Sequence, residues 1–70
     1  MDKDWKLIEQ SINTSLIHIL KEKLVSYGIE AIVLNLEDSM YNVGLGSAEL
    51  YVKSKDVIRA KHILNKTEDE

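Results

Sequence analysis

The stretch Ala48-Glu49-Leu50-Tyr51-Val52-Lys53 decides the fold, because apolar side chains occupy every second position along it. Successive side chains of a β-strand point to opposite faces of a sheet, so Ala48, Leu50 and Val52 share one face. The face that bears Tyr51 carries charged residues as well. This alternation predicts a strand with one buried face and one face open to water or to a partner.

Two further strands are predicted upstream of this one. Residues 29–36 are almost continuously apolar and rich in β-branched side chains, which is typical of a strand buried on at least one face. Residues 5–11 form a shorter segment with a large aromatic and a β-branched residue, which also favours a strand. Neither alternate set of residues 5–11 is purely apolar, so the sequence does not determine which face of this strand is buried. We place Ile8 in the core.

Helices are predicted between the first two strands and after the third. Asn13, Thr14 or Ser15 can cap the first helix, and Gly28 suits the left-handed position that ends it. Ser54 can cap the second helix, with Asp56 in its first turn. Apolar residues recur at helical spacing in both segments. They are Leu16, Ile17, Leu20, Leu24 and Tyr27 in the first, and Val57, Ala60, Ile63 and Leu64 in the second.

The predicted order of elements is strand, helix, strand, strand, helix. A strand-helix-strand crossover is right-handed in nearly all known cases, so the first two strands lie parallel and the third inserts antiparallel between them. We therefore predict one α+β domain over residues 1–70, a ferredoxin-like βαββα sandwich that lacks its last strand. Its sheet has the order 1-3-2 with both helices on one face. The ordered core is expected over residues 5–65, followed by an acidic tail at residues 66–70.

The composition narrows the class of function. With 9 Lys and Arg against 12 Asp and Glu, the net charge of −3 does not favour binding to nucleic acid or to anionic membranes. The absence of cysteine excludes disulfides, thiolate catalysis and a cysteine-based zinc site. The first residues do not resemble a signal peptide, and no apolar run approaches the ~20 residues of a membrane helix. These features predict a cytoplasmic protein without nucleic-acid or membrane partners.

The connection between the second and third strands is the predicted binding site, because hairpin connections usually have about 2 to 5 residues. Its polar, aromatic and glycine residues are Asp38, Ser39, Tyr41, Gly44 and Gly46. An Asx-type turn, a Tyr41 side chain that plugs the small core, and positive φ at the glycines explain these residue types without a ligand. Binding residues also concentrate in such segments. Both interpretations of residues 37–47, a structural turn and a ligand site, therefore remain.

Tyr51 is the candidate outside this connection. An aromatic residue on an open sheet face can stack on an RNA base. The aromatic content of 6%, the neighbouring Glu49 and the lack of a basic stripe argue against RNA. We therefore interpret Tyr51 as packing in a dimer or covering the sheet.

Other chemically capable residues do not predict a reaction. His18 and His62 each lack a second ligand at metal spacing. Glu30, Glu37 and Asp38 resemble an acid–base set, but that chemistry requires a shaped, desolvated pocket to separate pKa values. The sequence contains no nucleotide-binding, nucleophile-elbow or metal motif. We predict no enzyme activity, no cofactor and no metal.

Several short motifs along the chain form a recognisable set. They are Trp5, Tyr27-Gly28-Ile29-Glu30-Ala31, Asn35 with Asp38-Ser39 and Tyr41, and Glu49-Leu50-Tyr51-Val52 ahead of Ala60-Lys61. Together they resemble the prokaryotic signal-transducing protein family, a family of unknown function. The resemblance spans nearly the whole chain and implies a ferredoxin-like fold with a regulatory or binding role, but no reaction and no known ligand. Met40 and Leu45-Gly46-Ser47 depart from the family's pattern, inside the predicted site.

Two functions follow as predictions. The first is a small bacterial regulatory module without catalysis, in which residues 37–47 contact a small molecule or a protein. The alternative is a structural protein–protein interaction or homodimerisation domain that uses the edge of the first strand or the open sheet face.

Overall fold

The computed structural model describes residues 4–36 and 47–68. Its elements are β1 (Trp5–Ser11), α1 (Thr14–Ser26), β2 (Ala31–Leu36), β3 (Ser47–Lys53), a 3-10 turn (Ser54–Asp56) and α2 (Val57–Glu68). The strands form one antiparallel sheet in the order β1-β3-β2. Residues of both helices pack on one face of this sheet. The predicted ferredoxin-like βαββα arrangement is confirmed.

The core lies between the helices and the sheet face that we call the inner face. β3 supplies the centre of this face, where Ala48, Leu50 and Val52 are fully buried, as the alternation predicts. The other buried apolar residues are Ile17, Leu24, Ile29, Ala60 and Ile63. Ile8 is half-buried and packs against this cluster, so its predicted place in the core is confirmed.

The start of α1 is fixed by Asn13, one of the three predicted capping residues. Its side-chain Oδ1 accepts a hydrogen bond of 3.1 Å from the Leu16 N–H. This bond satisfies one of the backbone donors that have no partner inside the first helical turn. The cap therefore turns the chain out of β1 and into the helix at Thr14.

The end of α1 is a Schellman motif around Gly28, whose φ is +83°. The Gly28 N–H donates to the Val25 carbonyl at 2.9 Å, and the Ile29 N–H donates to the Leu24 carbonyl at 3.0 Å. Ile29 is buried by packing back on the helix. Ile29 thus belongs to the helix cap, and β2 begins at Ala31 rather than at residue 29 as predicted.

Substitution of Gly28 by alanine is expected to lower the free energy of unfolding by about 1 kcal/mol, because a left-handed φ strains an L side chain. A Cβ at this position meets nothing within 4 Å, so the cost is conformational and not steric. Urea unfolding followed by circular dichroism measures it. Gly28→Asn is the control and should lose less, since asparagine tolerates this conformation. Equal losses in the two variants would contradict the conformational account.

The buried stripe of α1 is narrower than the sequence pattern predicts. Ile17 and Leu24 are buried and Leu20 is half-buried, whereas Leu16 and Tyr27 are exposed. Tyr27 lies one residue beyond the end of α1, at the cap, and Leu16 lies beside the stripe. A sheet of three strands offers the helix only a narrow surface for packing, so the apolar residues beside the buried stripe remain exposed.

The chain enters α2 through the 3-10 turn at Ser54–Asp56, so the helix begins at Val57, later than the predicted cap at Ser54. The Ser54 N–H donates to the Asp4 carbonyl, which ties the turn to the start of β1. Arg59 Nη2 donates to the Tyr27 carbonyl at 3.3 Å and so connects α2 to the end of α1. The helix runs to Glu68, so the predicted tail is helical through that residue.

Candidate functional site

A β-bulge at Ile8 sets which side chains β1 presents on each face of the sheet. Leu7 pairs with Tyr51 and Glu9 pairs with Leu50, so Ile8 is the extra residue between two consecutive pairs. The bulge reverses the alternation of β1 at this point. Glu9 therefore lies on the face opposite to Leu7, although the two residues are two positions apart in the sequence.

The second face of the sheet, which we call the open face, follows from the pairing register. Residues directly opposite each other on paired strands share a face. The open face therefore holds the residues of β3 between the buried ones, together with their partners on β1 and β2. These are Ser47, Glu49, Tyr51 and Lys53 on β3, Trp5, Leu7 and Gln10 on β1, and Ile32, Leu34 and Leu36 on β2.

Six of these ten positions are apolar or aromatic, with Leu7, Tyr51 and Ile32 side by side in one row across all three strands. Neither described helix covers them, since the helices pack on the inner face. Leu7 is 46% exposed and Leu36 is 42% exposed. An antiparallel sheet with a solvated face usually places polar residues there. The apolar row, which the described helices leave uncovered, is thus not explained by the requirements of the scaffold.

Two internal contacts orient the polar groups of the open face. The Tyr51 hydroxyl donates to Glu49 Oε1 at 2.7 Å. The Lys53 ammonium lies over the Trp5 ring, 5.3 Å from its centroid, in a cation–π contact. Both contacts connect neighbours on this face, so each of them orients one of its two charged groups.

The hydrogen bond to Glu49 raises the pKa of Tyr51 above its ordinary value of 10.0, with further contributions from desolvation and from the Glu49 charge. A carboxylate beside a phenol disfavours the phenolate, because both would be negative. The stabilisation from this contact is therefore present below pH 10.0 and is lost as the pH rises through the pKa of the folded state.

Replacing Glu49 with glutamine is expected to lower the pKa of Tyr51, because the negative charge that opposes ionisation is removed while the hydrogen-bond acceptor stays. Titration of the tyrosine ring carbon signals by NMR in alkaline buffer measures this shift. Tyr51→Phe identifies the signal of Tyr51. An unchanged or higher pKa in Glu49→Gln would show that Glu49 does not control this hydroxyl.

Of the residues predicted from the sequence as a site, only Tyr51 lies within the described part of the chain. Asp38, Ser39, Tyr41, Gly44 and Gly46 lie outside the described residues, so their role stays a prediction. The two ends of their segment are placed, since Leu36 pairs with Ser47. Both end residues lie on the open face, which the sequence indicated through Tyr51 and as the alternative interaction surface.

A recess of about 210 Å³ lies between β1 and α2 on the other side of the sheet. Its lining residues are Ile8, Glu9, Lys61, Leu64 and Asn65. His18 and His62 are exposed on the helices. Within the described residues no three His, Cys, Asp or Glu side chains come together as a metal site. None of the helices described here has the length and apolar character to span a bilayer.

Fold and open face together define a small two-layer α+β domain with one largely apolar sheet face that neither of the described helices covers. Comparison of the chain with protein-family models, with curated proteins and with solved structures found no match. The resemblance to the prokaryotic signal-transducing protein family stays a prediction.

Proposed function

We propose that this chain is a non-catalytic interaction module that binds a protein surface through its open face. The observation that supports the proposal is the apolar row of Leu7, Tyr51 and Ile32, which the described part of the fold leaves uncovered. Contiguous exposed apolar patches on soluble domains mark sites of association, whereas single exposed apolar residues do not.

The chemistry of the open face suits a protein partner of mixed character. Its centre is apolar, and Glu49 and Lys53 lie on either side of Tyr51 along β3. An apolar centre with polar groups around it is the general anatomy of protein interfaces, and tyrosine and tryptophan are enriched there. Tyr51 and Trp5 supply such side chains with little conformational freedom to lose on binding.

The edge of β1 is the weaker alternative as an interaction surface. An edge strand can recruit a further strand through its unpaired backbone groups, and the recess beside Ile8 lies along this edge. The bulge at Ile8 interrupts the regular spacing of those groups, and bulges are one of the features that protect edges from such pairing. The bulge therefore favours the sheet face over the edge.

The proposed regulatory role through residues 37–47 is compatible with this surface. Because Leu36 and Ser47 are paired neighbours, the connection leaves and rejoins the sheet at one end of the open face. We propose that binding of a ligand by residues 37–47 is coupled through Leu36 and Ser47 to binding of a partner on that face. We propose this coupling as the way in which such a module transmits a signal.

The experiment compares retention of proteins from a cell extract on three immobilised forms of the chain. Leu34→Lys places a charge on the open face, and Ile58→Lys is the matched control, because Ile58 is 85% exposed on α2, away from that face. We expect the wild type and Ile58→Lys to retain the same proteins, further copies of this chain included, and Leu34→Lys to lose them. Equal retention by both variants would contradict the proposal.

A further inference from the structure

We infer that the occupant of the open face is a second copy of this chain, packed sheet to sheet, with the two β3 strands antiparallel. The inference rests on the proposed function and names its partner. It is carried by the placement of the charged residues on this face.

Among the described residues, the open face has two charged positions, Glu49 and Lys53, with Tyr51 midway between them. All three lie on the central strand. Four residues of a β-strand span about 13 Å, so the two charges are well separated within one chain. The face thus carries one charge of each sign and no net charge, although the whole chain has a net charge of −3.

Two copies that pack face to face with twofold symmetry have their axis in the plane between the sheets. An axis parallel to β3 would place Glu49 opposite the Glu49 of the other copy, and Lys53 opposite the Lys53 of the other copy. An axis perpendicular to β3, through Tyr51, instead places each Glu49 opposite a Lys53 of the other copy. Like charges in direct opposition are unfavourable, so the charge pattern selects the perpendicular axis.

The same axis runs along the apolar row, because Leu7, Tyr51 and Ile32 lie side by side across the strands. Each of these residues then meets the same residue of the second copy. Two tyrosine rings on a twofold axis can pack in the offset arrangement that aromatic pairs prefer. The symmetry therefore makes both the apolar centre and the charged flanks of the face self-complementary.

The internal contacts of the open face prepare it for this partner. Glu49 is held by the Tyr51 hydroxyl and Lys53 by the Trp5 ring, so less side-chain freedom is lost on association. One Glu49 oxygen accepts the Tyr51 hydrogen bond, and a carboxylate has a second oxygen for a lysine. Stacked sheets lie about 10 Å apart, a separation that extended glutamate and lysine side chains can bridge.

The size of the face sets the strength of the dimer. Three strands about 4.8 Å apart and seven residues at about 3.4 Å give a surface of roughly 14 by 24 Å. This is smaller than the about 800 Å² per partner of standard interfaces, so the dimer should be weak and dependent on concentration. We expect a dissociation constant of about 10 µM to 1 mM for this dimer.

Charge exchange tests the arrangement. Sedimentation equilibrium should show at least tenfold weaker self-association for Glu49→Lys and for Lys53→Glu than for the wild type. The double variant Glu49→Lys with Lys53→Glu should recover association, since each lysine again faces a glutamate. An equimolar mixture of the two single variants should form mixed dimers. Circular dichroism confirms that each variant is folded.

Zero-length carbodiimide coupling tests the same contact in the unmodified chain. An amide between Glu49 and Lys53 should form only between copies, because about 13 Å separates these residues within one chain. A mixture of ¹⁴N- and ¹⁵N-labelled protein distinguishes links between copies by mass spectrometry. Cross-links of Lys53 to other carboxylates without Glu49 would overturn the antiparallel arrangement.

A wild type that stays monomeric up to about 1 mM would overturn the inference, as would a double variant as weak as the single ones. The proposed function would survive either result if extract proteins still bound Ile58→Lys and not Leu34→Lys. If the wild type does not self-associate and the two variants retain the same extract proteins, both proposals are overturned.

Discussion

Replacing Leu50 with alanine is expected to lower the free energy of unfolding by about 2 to 5 kcal/mol, the range for removal of a large buried aliphatic side chain. Leu50 is fully buried at the centre of β3, within the cluster that joins the sheet to both helices. A chain of 70 residues has a stability of about 3.5 to 10 kcal/mol. The variant should therefore lose a large fraction of the stability of the domain.

Urea denaturation followed by circular dichroism at low protein concentration measures this loss. Leu34→Ala is the matched control, because it removes the same side chain from the same sheet on the opposite face. Leu34 is 36% exposed, and its truncation should cost well under half as much. Similar losses at the two positions would mean that the core does not lie on the inner face.

Enlarging Ala60 to leucine is expected to cost about 1 to 3 kcal/mol, because a well-packed core has no room for three further carbon atoms. Ala60 is fully buried where α2 meets the core. Its small side chain lets the helix approach the sheet closely. The larger side chain must push α2 away from the sheet or adopt a strained rotamer.

The thermal midpoint is the measurement for this variant, and it should fall by roughly 10 °C, since 1 kcal/mol corresponds to about 4 to 8 °C in a domain of this size. Lys61→Leu is the control, because Lys61 is exposed at the next position of the same helix. It should change the midpoint little. A fall of the same size in both variants would point to helix propensity or aggregation instead of packing.

The parts of the fold that depend on local chemistry could be predicted from the sequence. Asn13 caps α1 through a hydrogen bond to a residue three positions away, and Gly28 ends the helix through its own φ. The alternation of β3 gave its buried face correctly, because that strand has neighbours on both sides and no irregularity. In each case the determining contact lies within a few residues or repeats regularly.

Apart from the core position of Ile8, the facing of the β1 residues could not be predicted, because the bulge at Ile8 is defined by pairing with β3, more than forty residues away. The same limit applies to the open face. Ile32, Leu34 and Leu36 are visibly apolar in sequence, but only the register shows that they point away from both helices. Leu16 appeared to belong to the buried stripe because periodicity does not reveal how narrow the sheet is.

The central place of β3 in the sheet also sets the order in which the chain can fold. Within the part of the chain that the structure describes, β1 and β2 do not pair with each other, and β3 is the strand to which each bonds. During synthesis from the N-terminus, no strand has its partner until residues 47–53 emerge, whereas α1 can form earlier from its own cap and Schellman motif. The long sequence separation of the β1–β3 pair slows closure of the sheet. Until β3 arrives, the apolar segment of β2 is exposed on the nascent chain.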